Sequence, residues 1–186
     1  FFVLFGCLMG TSQAVADELK VAVASNFYPT MKLIAKHFEL KTAGSSGQQH
    51  KVILIPGSSG KHYAQIMNGA PFDMFFSADT EHAKLLEQEG KVDSGTRFTY
   101  AKGKLILWSS IDNYVDSKGE VLNKKDFRYL AIANPKLAPY GKSAEEALRS
   151  LKLWTNLKER LVQGENIAQT FQFISSGNAK LGFVAY

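Results

Sequence analysis

Cysteine is almost absent from this chain of 186 residues. The single cysteine, Cys7, lies among the first sixteen residues, so residues 17–186 contain none. That part of the chain can therefore form no disulfide. It also offers neither a thiol nucleophile nor a thiolate metal ligand.

Motifs for several enzyme classes are missing as well. The segment Gly57-Ser58-Ser59-Gly60-Lys61-His62 is unlike a P-loop, because its glycines are too close and His62 stands where Ser or Thr is required. No Gly-x-Ser-x-Gly nucleophile elbow occurs. The histidines lack metal-ligand spacing, so we predict surface positions for His37, His50, His62 and His82. We assign no catalytic residue, no cofactor and no enzyme activity.

The first sixteen residues differ from the rest, since they contain no charged side chain. An apolar run is followed by small polar residues and by Ala14-Val15-Ala16, which fits a small-x-small cleavage site, and charge begins at Asp17. We interpret residues 1–16 as part of a secretory signal peptide, and expect the natural chain to continue at both ends. The apolar run is too short for a membrane span. Leu4-Phe5-Gly6-Cys7 fits a lipid attachment site poorly, so we expect a periplasmic protein without a lipid anchor.

The formal net charge is +5 and the isoelectric point is about 9.2, which could attract anions or nucleic acid. However, the basic residues alternate with acidic ones, as in Lys158-Glu159-Arg160. This pattern is typical of a solvated surface, so we expect no nucleic-acid partner.

Apolar runs alternate with helical patterns along the chain, which predicts an α/β fold with parallel strands. Two such units follow one another, so we predict one lobe at residues 17–100 and a second at residues 101–186. Residues 41–51 are polar and rich in Gly and Ser, which predicts a loop. A further helix is predicted from Ser143 to Leu153.

Four strand-to-helix junctions carry small polar residues or bare backbone N–H groups at the start of a helix. Such ends can hold an anion without a cationic side chain, and in open parallel sheets ligands bind beyond the carboxyl ends of the strands. A single junction of this kind is usually only a helix cap. Because four share the design, we predict a site for a small oxyanion. Its candidate donors are Ser25, Asn26, Ser58, Ser59, Tyr140 and Ile167, with Gly57 and Gly60 allowing close backbone approach.

Five segments in order also resemble the periplasmic molybdate-binding proteins of ABC-type molybdate importers. They are Val21-Ala22-Val23-Ala24-Ser25-Asn26-Phe27, Gly57-Ser58-Ser59-Gly60-Lys61, Ala70-Pro71-Phe72-Asp73-Met74-Phe75-Phe76-Ser77-Ala78-Asp79, Asn134-Pro135 through Pro139-Tyr140-Gly141, and Leu181-Gly182-Phe183-Val184-Ala185. The resemblance implies a type II periplasmic-binding-protein fold of two α/β lobes with a ligand cleft between them. It implies that molybdate or tungstate is bound by Ser25, Asn26, Ser59, Tyr140 and Ile167. Molybdenum would be present only as the bound oxyanion.

The resemblance further implies delivery to an ABC transporter membrane permease, and we expect a monomer. Some family members use a tyrosine hydroxyl in the last segment, but Ala185 occupies that place here and Tyr186 comes one residue later. The family's C-terminal return to the first lobe is also missing from this sequence. Two alternatives stay open: a receptor for sulfate, phosphate or another oxyanion, and an α/β enzyme acting on a phosphorylated metabolite.

Overall fold

The computed structural model describes residues 17–46, 50–124 and 126–186. The predicted signal peptide and Cys7 lie outside the described residues. Two sheets organise the rest of the chain. We call the first sheet with its three helices the N-terminal half, and the second sheet with its four helices the C-terminal half.

The N-terminal half is a parallel three-stranded sheet in the order β2-β1-β3. Its elements are β1 (Glu18–Ala24), α1 (Tyr28–Ser46), β2 (Lys51–Gly57), α2 (Ser59–Met67), β3 (Met74–Phe76) and α3 (Thr80–Gln88). Strand β1 is central, and its residues 21–24 are buried because parallel strands are covered by helices. The carboxyl ends of all three strands meet at one edge of the sheet.

The C-terminal half is a four-stranded sheet in the order β4-β7-β5-β6. Its elements are β4 (Leu105–Trp108), α4 (Val121–Lys124), β5 (Leu130–Ala133), α5 (Pro139–Ser150), α6 (Trp154–Leu157), a 3-10 turn (Lys158–Arg160), β6 (Leu161–Gly164), α7 (Ile167–Ser175) and β7 (Leu181–Ala185). Strands β5, β6 and β7 are parallel, and β4 runs antiparallel to β7. The largest hydrophobic core lies here, built from Val121, Leu122, Phe127, Leu130, Ile132, Ala144, Leu148, Leu157, Leu181 and Phe183.

Two predicted segments have wrong boundaries. Helix α1 continues to Ser46, past the predicted loop start at Lys41, because Leu40, Lys41 and Ala43 are good helix formers. Helix α5 begins at Pro139 rather than Ser143, because proline has no N–H to satisfy and its fixed φ suits a first helical position, and it ends at Ser150 rather than Leu153. This second correction places Tyr140 inside the first turn of α5.

Candidate functional site

Ser25 follows β1 directly, at the carboxyl edge of the first sheet. Its backbone N–H donates to the Gly57 carbonyl at 2.9 Å, which ties the end of β1 to the end of β2. The parallel pairing of the two strands therefore uses the Ser25 N–H, so this residue can serve as a donor to a ligand only through its hydroxyl. The Ser25 hydroxyl remains available for hydrogen bonding, and the residue is only 8% exposed.

Ser58 and Ser59 sit where β2 passes into α2. Ser58 is the N-cap residue, but its side chain makes no capping bond, and within the described residues its buried hydroxyl oxygen has no hydrogen-bond partner. Ser59 is fully buried, and its hydroxyl accepts the Ala78 N–H at 2.9 Å. That bond leaves the Ser59 hydroxyl proton free to donate. Helix capping therefore does not explain why a serine hydroxyl is buried at position 58.

The helix starts of the C-terminal half are built differently. Asn166 caps α7, because its side-chain oxygen accepts the N–H groups of Ala168 and Gln169 at 3.1 Å each. Ala138 caps α5 without any side-chain bond. Tyr140 and Ile167 lie in the first turns of these helices, where backbone N–H groups have no partner within the helix.

Free donors lie at each of the four junctions. Among the described residues, no acceptor is bound to the backbone N–H groups of Asn26, Ser59, Tyr140 and Ile167. Asn26 adds a buried side-chain oxygen that also has no partner in the described part of the chain. Rotating this amide by half a turn would present its NH₂ group, a donor, in place of the oxygen. A desolvated polar group without a partner is costly, which favours a bound polar ligand here.

Contacts between the two halves bring these junctions together. The Ala168 N–H lies 3.3 Å from the Ser25 hydroxyl oxygen, so the end of β1 meets the start of α7, next to Ile167. The Gly60 N–H donates to the Leu137 carbonyl at 2.9 Å, so the start of α2 meets the segment leading into α5. Gly60 is required there, since a Cβ would stand 2.8 Å from that carbonyl oxygen.

Inside the C-terminal half, the two helix starts share one small cluster. Ile167 is buried against Ala133 and Ala138, and Tyr140 packs on the same group. The Asn134 N–H donates to the Gly164 carbonyl at 2.8 Å and joins the ends of β5 and β6. Ile167 is therefore next in sequence to Ala168, which contacts Ser25, and Tyr140 is three residues after Leu137, which contacts Gly60.

Two cavities lie elsewhere. One of about 520 Å³ opens beside β3 and α3, and one of about 780 Å³ opens beside β4 and the loop that follows it. None of the eight predicted residues lines either cavity. Ser25 and Gly60 instead contact the other half, through Ala168 and Leu137 respectively.

Residues 19–186 match the family of bacterial extracellular solute-binding proteins. The chain belongs to this family. Its relatives include the molybdate-binding protein of Azotobacter vinelandii, 51% identical over 172 residues, and that of Rhodobacter capsulatus, 45% identical over 173 residues. The alignments cover 92% and 93% of this chain. The chain spans 66% of the length of these curated relatives.

A solved structure of this family agrees with the fold. The periplasmic molybdate-binding protein of Azotobacter vinelandii superposes with a TM-score of 0.82 at 44% identity, covering 90% of this chain and 71% of that chain. The predicted α/β fold of a periplasmic binding protein is confirmed. So is the family resemblance found in the sequence.

The electrostatics of this solute-binding protein suit a donor-only site. The lysines nearest in sequence to the donors are Lys61 and Lys142, and both bind carboxylates at the half-exposed surface. Burial raises the pKa of Tyr140, and burial together with Tyr140 raises the pKa of Tyr100 to about 12. Both phenols therefore stay protonated and add no negative charge at neutral pH.

Sequence reasoning missed two groups near the donors. Tyr100 donates its hydroxyl to the Ser77 carbonyl at 2.6 Å and packs on Phe27 with ring centres 4.7 Å apart. Ala168 meets Ser25 through a backbone N–H, which no residue-type pattern reveals. The described residues contain no cluster of three or more metal-ligating side chains, and none of their helices has the length and apolar character needed to cross a membrane.

One histidine prediction is also wrong. His62 is buried, at 1% exposure, rather than on the surface. It packs against the Phe72 and Phe75 rings, and a Cβ on Gly57 would stand 2.7 Å from its ring. Its position one turn into α2 makes it part of the support of the Ser58–Ser59 junction.

Proposed function

We propose that this protein captures molybdate or tungstate outside the cytoplasm and delivers it to the membrane permease of an ABC importer. The donor set is Ser25, Asn26, Ser59, Tyr140 and Ile167, supported by Ser58, Gly57 and Gly60. One lobe comprises residues 17–100 and the other residues 101–186. The protein acts as a periplasmic monomer after removal of residues 1–16, and it is a receptor rather than an enzyme.

One observation carries the proposal. Neutral donors at four strand-to-helix junctions, drawn from both halves, lie beside contacts that join the halves, and they lack acceptors of their own among the described residues. A hydrogen bond to a charged acceptor contributes about 1.5–3 kcal/mol, so several such bonds suffice for micromolar affinity after the costs of binding. The molybdate-binding relatives at 51% and 45% identity support the choice of anion.

Asn26 gives a specific reason to keep a second candidate. Its buried side-chain oxygen could accept the proton of a protonated oxyanion such as hydrogen phosphate. A fully deprotonated dianion would instead require the amide to present its NH₂ group. Phosphate and molybdate therefore make opposite demands on the same side chain.

Calorimetric titration of the purified protein tests the proposal. Molybdate and tungstate should bind with Kd at or below about 1 μM, whereas phosphate and sulfate should bind far more weakly. Tight phosphate binding without molybdate binding would transfer the assignment to the second candidate. Tight sulfate binding without molybdate binding would refute the molybdate assignment.

A further inference from the structure

Two ion pairs join the N-terminal half to the C-terminal half. The Lys61 ammonium of α2 lies 2.6 Å from a carboxylate oxygen of Glu165, which precedes α7. The Lys142 ammonium of α5 lies 2.9 Å from a carboxylate oxygen of Glu81 in α3. We call these two contacts the cross-half ion pairs.

The cross-half ion pairs flank the proposed donors closely in sequence. Lys61 comes two residues after Ser59, and Lys142 comes two residues after Tyr140. Glu165 comes two residues before Ile167. Charged side chains thus flank the donors in sequence in both halves, although no charge belongs to the donor set.

The two pairs run in opposite directions. The first takes its cation from the N-terminal half and the second takes its cation from the C-terminal half. Each half therefore presents one positive and one negative group to its partner. This arrangement aligns the halves in one relative position without giving either contact surface a net charge from these four residues.

Ion pairs at this exposure usually contribute little to the stability of a fold, because water screens them and ordering the side chains costs entropy. These two differ in what they connect. They form only while the halves are together, so their contribution falls on the balance between open and closed arrangements. If the closed arrangement binds the anion, the apparent affinity falls in proportion to the closed fraction.

We propose that the cross-half ion pairs raise oxyanion affinity by stabilising the closed arrangement of the two halves. This inference rests on the proposed function. It predicts that removing the charge of Glu165 or Glu81 weakens oxyanion binding, whereas charge repulsion alone predicts the reverse. Glu165 and Glu81 would repel a dianion, so removing their charge should strengthen binding if charge alone mattered.

Single substitutions separate the two effects. Glu165→Gln and Glu81→Gln should each weaken molybdate binding roughly two- to fivefold in calorimetry at low salt, and the loss should shrink at high salt. The charge exchange Lys61→Glu with Glu165→Lys should recover most of the affinity. Unchanged or tighter binding in both glutamine variants would overturn the inference.

Glu145 provides the matched control. It pairs with Arg149 at 2.6 Å inside α5, so Glu145→Gln removes the same charge without breaking a contact between the halves. Its affinity should equal or slightly exceed that of the unmodified protein. An equal loss in the control and in Glu165→Gln would show that the crossing contact is irrelevant.

A ligand-free measurement distinguishes failure of this inference from failure of the proposed function. Residues 17–186 contain no cysteine, so Leu33→Cys and Leu151→Cys, both exposed, can carry a fluorophore pair on the two halves. Glu165→Gln combined with Glu81→Gln should shift energy transfer toward a longer distance. If the protein binds no molybdate, the proposed function fails, but the change in energy transfer still tests the ion pairs. An unchanged energy transfer would overturn the inference that the cross-half ion pairs hold the halves together.

Discussion

The two halves contribute donors alike but differ in how much hydrophobic core supports those donors. In the C-terminal half, all four residues of β5 are fully buried, and helices α5 and α6 add Leu148 and Leu157. In the N-terminal half, β2 and β3 are only partly buried. Helix α1 leaves Leu33 and Leu40 about two-thirds exposed.

The two halves also differ in the kind of donor group that each supplies. The C-terminal half offers backbone N–H groups from helices that are fixed by a full core. The N-terminal half adds the hydroxyls of Ser25 and Ser59, and the Ser59 hydroxyl is held by a hydrogen bond from the Ala78 N–H. We therefore expect a substitution in the buried core of the C-terminal half to lower stability more than one on the exposed face of α1.

The largest expected effect compares two leucines. Leu148→Ala removes a fully buried side chain of α5 and should lower the free energy of unfolding by about 2–5 kcal/mol. Leu33→Ala on α1, at 71% exposure, should change it by no more than about 0.5 kcal/mol. Urea unfolding of both variants measures the contrast. Similar losses would mean that α1 is supported as well as α5.

The next effect concerns the two serines of the α2 junction. Ser59→Ala should cost about 1.5–3 kcal/mol in molybdate binding, because a donor to a charged ligand is lost. It should also reduce stability, since the Ala78 N–H loses its acceptor. Ser58→Ala removes a buried hydroxyl that is unpartnered among the described residues, so stability should not fall. A greater loss of affinity in Ser58→Ala than in Ser59→Ala would make Ser58 the donor to the ligand and Ser59 the supporting residue.

Two glycines distinguish contacts within a half from contacts between halves. In Gly60→Ala the new Cβ would meet the Leu137 carbonyl of the other half, so affinity should fall by roughly 1 kcal/mol while the halves relieve the overlap by opening. In Gly57→Ala the Cβ would meet the His62 ring of the same half, so stability should fall instead. Calorimetry measures the affinity of both variants and urea unfolding measures their stability. Equal effects on both quantities would contradict this distinction.

Much of this arrangement is predictable from the sequence, because it depends on local patterns. Branched apolar runs predict the strands, and Asn166, a residue type that favours the cap position, directly precedes α7. The four junctions follow from strand order, since parallel strands place their carboxyl ends at one edge. Residue periodicity cannot reveal that the Ser25 N–H is already bound to Gly57, because that bond depends on the pairing of β1 with β2.

Contacts between distant segments are beyond such patterns. Lys61 and Glu165 are 104 residues apart, and nothing local to either predicts their pairing. The surface prediction for His62 is wrong for a different reason. The buried positions of α2 are Ser59 and His62, one turn apart, so its inner face is polar and hydrophobic periodicity points elsewhere.

The smallest expected effect follows from that buried histidine. Burial lowers the pKa of His62, while its contact with Gln65 raises the pKa only in part. The unfolded chain takes up a proton near pH 6.5, whereas the folded chain does so only at lower pH. As pH falls below about 6.5 the unfolded state therefore binds more protons, and the free energy of unfolding decreases until the folded pKa is passed.

Urea unfolding at pH 7.5 and 5.5 tests this dependence. His62→Gln should remove part of the loss at pH 5.5, whereas His37→Gln, at an exposed position on α1, should retain it. Because His62 supports only the N-terminal half, Leu148→Ala should show the same pH dependence as the unmodified protein at a lower overall stability. If His62→Gln and His37→Gln lose the same free energy of unfolding between pH 7.5 and 5.5, the loss does not arise from the buried histidine beside the α2 junction. The two halves would then not differ in how their stability depends on pH.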